Sequence, residues 1–122
     1  MSVTPAESQI MEALWIQGPL TASEVIAAVK DQDWGEATVK TLIHRLLKRG
    51  AIRSERADGR TVYRAVLERA AYVQAESQSL LDRLFGGEVA PLVAHFAERR
   101  SLKPAEIKRL RALLDELDDD AD

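Results

Sequence analysis

"WGEATVKTLIHRLLKRGAIRSERADGRTVYRAVL", residues Trp34 to Leu67, holds two structural patterns and an imbalance of charge. In its first half Val39, Leu42, Ile43, Leu46 and Leu47 recur at i, i+3, i+4, i+7 and i+8. That spacing lines one face of an α-helix, and Gly50 supplies a left-handed stop at its end. In the second half, Ile52 to Arg56 and Thr61 to Val66 are short runs with β-branched or aromatic residues. Between them "ADGR" contains Asp58-Gly59, a strong signal for a tight hairpin. Across both halves, from Thr38 to Ala65, stand Lys40, Arg45, Lys48, Arg49, Arg53, Arg56, Arg60 and Arg64 against only Glu55 and Asp58.

The residues before this stretch read as two shorter helices. In "TPAE", Thr4 can cap, Pro5 suits the first helical position and Glu7 can reach back to complete a capping box. Ile10, Met11, Leu14 and Trp15 then follow at helical spacing until Gly18-Pro19. A second box, "TASE", sets Thr21 three residues before Glu24 and leads into Val25, Ile26 and Val29. Three helices and a hairpin, in that order, are the arrangement of a winged helix-turn-helix. Beyond the hairpin the chain is helical: Val73, Leu80, Leu81, Leu84 and Phe85 form one stripe, and Gly86-Gly87 ends it. Val89, Leu92, Val93, Phe96 and Ala97 form a second stripe, and Ile107, Leu110, Leu114 and Leu117 a third. The expected fold is mostly α with a small β-hairpin wing. It divides into a winged-helix head over residues 1–67 and a three-helix dimerisation region over 68–122, whose acidic end "DELDDDAD" is expected to fray.

Length and composition set bounds on function. At 122 residues a chain split in this way has thin cores, which points to self-association, with Leu80, Leu84, Leu92, Phe96, Leu110 and Leu114 as the pairing stripes. The absence of cysteine removes disulfides, thiolate metal sites and thiol nucleophiles together. No apolar run approaches the roughly 20 residues of a membrane span, and "MSVTPAES" lacks the basic and apolar regions of a signal peptide, so a soluble, cytoplasmic protein is expected. The formal net charge of -3 hides the basic stretch, because residues 1 to 37 carry one basic residue against six acidic and those from Glu68 onward carry eight against twelve. A polyanion responds to the local field of a patch, not to the sum.

On the third helix the face opposite the apolar stripe holds Thr41, His44, Arg45 and Lys48, with Ala37, Thr38 and Lys40 toward its margins. Short hydroxyls and methyls near a helix N-terminus, an arginine able to pair with guanine and lysines for phosphates are what reading a major groove requires. The hairpin adds Arg56 and Arg60, whose compact tip can lie along the DNA backbone or enter the adjacent minor groove. A solvated helix face normally alternates lysine with glutamate, and this one almost lacks glutamate. His44 has no His, Cys or carboxylate at ligand spacing, so a base or phosphate contact fits it better than a metal or acid-base role. No metal or cofactor is expected. Trp15 and Trp34 belong with the core of the head, Tyr63 with either the core or the wing surface, and His95 with the surface of the fifth helix.

With "LW" at Leu14-Trp15, "DW" at Asp33-Trp34, "TVKTLIHRLLKRG", "DGRTVYRA", "LFGGEVAPLVAHF" and "IKRLRALL", nearly the whole chain resembles the penicillinase and methicillin-resistance repressor family, which includes copper-responsive repressors. The resemblance implies a homodimeric repressor. Its heads would bind a palindromic double-stranded operator, with Lys40, Thr41 and Arg45 as recognition-helix contacts, and its last three helices would form the dimer interface. Copper-responsive members carry a C-terminal cysteine cluster that this chain lacks. In the β-lactam-responsive branch a regulatory protease cuts the fifth helix between asparagine and phenylalanine, and the corresponding pair here is His95-Phe96. Serine often precedes the third and last helices in the family, where this chain has Gly35 and Lys103. From the residues themselves, the rival class is a protein-interaction adaptor docking through an apolar wing surface. An enzyme ranks last, since no nucleophile-base set or phosphate-binding glycine loop appears.

Overall fold

A computed structural model describes residues 2–121 and divides the chain into two compact units, one through Ala75 and one from Glu76 onward. Helix α1, Pro5–Gln17, opens on the expected capping box: the Glu7 N–H donates to Thr4 Oγ1 and the Thr4 N–H to Glu7 Oε1, both at 3.2 Å. Helix α2, Ala22–Ala28, opens on the same device, with Glu24 N–H to Thr21 Oγ1 at 3.2 Å and Thr21 N–H to Glu24 Oε1 at 2.9 Å. Each box satisfies two of the amides that a helix start leaves without partners. A single 3-10 turn, Lys30–Gln32, leads to helix α3, Glu36–Arg49, which starts at Gly35 without a side-chain cap and stops at Gly50 with φ 75°.

Strands β1, Ile52–Ala57, and β2, Arg60–Ala65, pair antiparallel from Ile52↔Ala65 to Ala57↔Arg60. Asp58 (φ 52°) and Gly59 (φ 77°) are the two turn residues, both left-handed, as the twist of a two-residue hairpin demands. This tight closure pairs Arg60 directly with Ala57, so the second strand begins one residue earlier than the β-branched run. It ends at Ala65, because the amides of Val66 and Leu67 turn to the Ala51 carbonyl at 2.8 and 3.0 Å. The hairpin also has a neighbour that the sequence pattern does not reveal. Leu20 donates to the Tyr63 carbonyl at 3.1 Å and accepts from the Tyr63 amide at 2.7 Å, tying the α1–α2 loop to β2.

The first unit closes a core of its own. Ile10, Met11 and Leu14 of α1, Val25 of α2, Val39, Leu42, Ile43 and Leu46 of α3, and Ile52 of β1 are all buried. Trp15, Trp34 and Tyr63 pack against this cluster partly buried, which resolves Tyr63 toward the core. A fully buried side chain of this size contributes roughly 1.5–3 kcal/mol. Helix α4, Arg69–Leu84, begins within this unit: Trp15 Nε1 donates to the Leu67 carbonyl at 2.8 Å, the Trp15 and Tyr72 rings lie 5.5 Å apart, and Arg69 Nε meets Glu12 Oε1 at 3.1 Å. These contacts set the first turn of α4 against the head, and the first compact unit runs through Ala75.

The second unit contains the rest of α4, helix α5, Val89–Glu98, and helix α6, Pro104–Ala121. Among its described residues none is buried. Leu84 is 65 % exposed, Phe96 42 % and Leu114 60 %. Helix α6 continues through the acidic run to Ala121, with Asp122 outside the described residues. Propagating a helix costs far less than starting one, which accounts for the continuation although acidic side chains near a C-terminus oppose the helix dipole. None of the described helices is long and apolar enough to cross a membrane.

Candidate nucleic-acid interface

The apolar spacing of α3 decides which of its residues face outward. With Val39, Leu42, Ile43 and Leu46 buried, Thr38, Lys40, Thr41, His44, Arg45 and Lys48 are all exposed on the remaining surface of the helix. Lys40, His44, Arg45 and Lys48 make no ion pair or side-chain hydrogen bond among the described residues. Thr41 does: its hydroxyl donates to the Ala37 carbonyl at 2.9 Å. Lys40 and His44 also edge a cleft of about 270 Å³ lined by Ala22, Ile43, Leu47 and Tyr63, where α3 meets α2 and the wing.

Three of the eight basic residues from Thr38 to Ala65 are paired with carboxylates of the protein itself. Arg49 Nη2 lies 2.8 Å from Glu7 Oε1 and its Nη1 donates to the Ser2 carbonyl at 2.6 Å. Arg53 Nη2 and Arg64 Nε share Glu55 Oε1 at 2.8 and 3.1 Å. The Arg64 hydrogen bond first, with Arg53 adding to it, holds the Glu55 carboxyl below the usual carboxylate range. Lys40, Arg45, Lys48, Arg56 and Arg60 have no acidic side chain in direct contact among the described residues. Positive charge therefore concentrates on α3 and the hairpin tip rather than spreading over the whole stretch.

The two wing arginines differ. Arg56 is braced by its own hairpin, donating from Nη1 to Thr61 Oγ1 at 3.1 Å and from Nη2 to the Gly59 carbonyl at 2.8 Å. Arg60 makes no such bond, but its charge helps, after the Thr21 hydrogen bonds, to hold the Glu24 carboxyl below its ordinary pKa. Sequence reading missed the bracing of Arg56 by Thr61, although the register that sets them opposite each other follows from a two-residue turn at Asp58-Gly59.

In the second unit Leu80, Leu84, Phe96 and Leu114 are exposed, while Leu92 and Leu110 are half-buried. The last two line a cleft of about 380 Å³ with Phe96 and Leu113 between α5 and α6. His95 lies on α5 with its ring 5.2 Å from that of Phe96 and 6.2 Å from that of Phe85. The His95–Phe96 peptide bond lies in the last turn of α5. No group of three or more His, Cys, Asp or Glu able to hold a metal occurs among the described residues.

Three helices, a hairpin and an outward face of unpaired cations define a winged-helix DNA-binding head. Residues 3–116 match the penicillinase repressor family, and the chain belongs to this family of transcriptional repressors. It is 29% identical over 115 residues to the penicillinase repressor of Bacillus licheniformis, covering 93% of this chain and 90% of that one. To the methicillin resistance regulatory protein MecI of Staphylococcus aureus it is 28% identical over 113 residues, covering 92% of each. In structure, a MarR family protein from Bacillus stearothermophilus shares the fold, with a TM-score of 0.52 at 18% identity over 96% of this chain and 76% of that one.

Proposed function

We propose that the chain represses transcription as a homodimer bound to a palindromic operator, with α3 of each head in the major groove and each wing on the adjacent backbone or minor groove. The observation that carries this reading is the division of the cations. Arg49, Arg53 and Arg64 are spent on internal carboxylates, whereas Lys40, Arg45 and Lys48 remain free on one face of α3. The exposed apolar residues of α4, α5 and α6 support pairing with a second copy, since unburied leucines gain most by meeting their like across a two-fold axis. Pairing two heads raises the effective concentration of the second at its half-site once the first is bound. Release follows from anything that separates them. A regulatory protease cutting at His95–Phe96, or an equivalent truncation, removes α6 and interrupts the stripe of α5. The protein acts in the cytoplasm, where its operator lies.

Selection of duplexes from a random pool tests the reading, followed by gel-shift titration of the full chain and a 1–95 fragment over a range of salt. A palindrome should emerge. Its affinity should fall with salt at a log-log slope of about -0.9 for each phosphate contact, and the fragment should lose both affinity and dimer content. Binding that is indifferent to sequence and salt, as an apolar adaptor surface would give, overturns the proposal.

A further inference from the structure

Thr41 sits exposed on the outer face of α3, one turn after Ala37 and one turn before Arg45. A threonine hydroxyl has a single proton and two acceptor lone pairs. Here that proton is committed to the Ala37 carbonyl at 2.9 Å, so the side chain has no donor left for a base. The same bond restrains the stiff β-branched side chain to the rotamer that makes it. What remains outward is the methyl group, with an oxygen that can only accept. Ala37, also exposed, adds a second methyl four residues earlier on the same stripe. At this height the helix therefore presents two methyl groups and an acceptor but no donor of its own, while Lys40 and His44 beside it supply the donors. In a major groove the base-edge group that matches two methyls is the 5-methyl of thymine.

We propose that Thr41, backed by Ala37, reads a thymine through its 5-methyl group and not through its hydroxyl. The inference rests on the operator reading above and adds to it the mode of contact. It is tested with the full-length protein on its selected operator, replacing each thymine in turn by deoxyuracil, which removes the methyl alone. The wild-type chain should lose about fourfold in affinity at one thymine of each half-site, the worth of one buried methyl. Thr41→Val, which keeps a methyl and loses the hydroxyl, should retain that penalty. Thr41→Ser, which keeps the hydroxyl and its bond to Ala37, should abolish it. The reverse pattern assigns the contact to the hydroxyl and overturns the proposal, as does an operator on which no uracil penalty depends on residue 41. Failure to select any duplex removes the operator reading itself, and the methyl contact with it, and is recognised by the absence of a preferred sequence before any uracil is introduced.

Discussion

Glu7 is an acid in a position meant for an apolar residue: it precedes Ile10, Met11 and Leu14 at i+3, i+4 and i+7 and is fully buried with them. Its Oε1 serves Thr4 and Arg49, while its Oε2 has no hydrogen-bond partner. Burial alone pushes the carboxyl up. The bonds from Thr4 and the guanidinium of Arg49 outweigh it and leave the pKa below the ordinary value. A carboxyl lowered on folding stabilises the protein above its unfolded pKa, roughly 4.3, and loses that contribution as pH falls through the folded value. Glu7→Gln should therefore destabilise the head by about 1–2 kcal/mol at neutral pH, a figure reduced because Arg49 is 35 % exposed. The deficit should vanish in acid. Urea unfolding of both proteins from neutral pH to about pH 3 checks this, and a gap that stays constant would refute it. On α3, Arg45→Ala should cost about 1–3 kcal/mol of operator binding and relax preference at one base pair. Lys48→Ala should weaken all sequences alike and flatten the salt slope by about one phosphate contact. Competition gel shifts with point-substituted operators distinguish the two losses.

The wing works as a unit because Arg56 on β1 and Thr61 on β2 face each other in register. The guanidinium of Arg56 is tied to Thr61 Oγ1 and the Gly59 carbonyl, so on the proposed reading it is ordered before it meets DNA and less side-chain entropy is lost on binding. Thr61→Val should lower operator affinity about two- to fivefold with little change in melting temperature, and should have no effect in an Arg56→Ala background. A full additional loss in that double variant would show that Thr61 acts on its own. The elements themselves were legible because their signals are local: the 3.6-residue period of α3, both capping boxes and the Asp58-Gly59 turn each lie within a few residues. At the acidic end local pattern says less, because α6 runs past its last stripe leucine to Ala121. The Leu20–Tyr63 bridge and the fates of Arg49 and Arg64 were not legible from local pattern, because they depend on where folding brings remote or cross-strand partners, whereas Arg53 meets Glu55 two residues on in its own strand. For Arg49 a trace was present, as its helical angle falls beside Leu42 and Leu46 on the core side of α3.

At the level of the molecule, one unit is finished and the other is not. The contacts of Trp15 with Leu67 and Tyr72, and of Glu12 with Arg69, predict that a head ending at Ala75 is more stable than one ending at Leu67. The ring pair alone is worth about 0.5–1.5 kcal/mol. Thermal melts of the two fragments test it, and equal midpoints would mean that the start of α4 adds nothing to the head. Both tryptophans of the chain, Trp15 and Trp34, belong to the unit through Ala75, and the unit from Glu76 onward has none. The protein thus carries an intrinsic optical label for one of its halves. Tryptophan emission follows the head, whereas far-ultraviolet circular dichroism also counts the turns of α5 and α6. On the proposed pairing, dilution that separates two copies should lower helical ellipticity while leaving the emission maximum in place, and added denaturant should shift the emission only later. If the two signals moved together at every concentration, the halves would be melting as one.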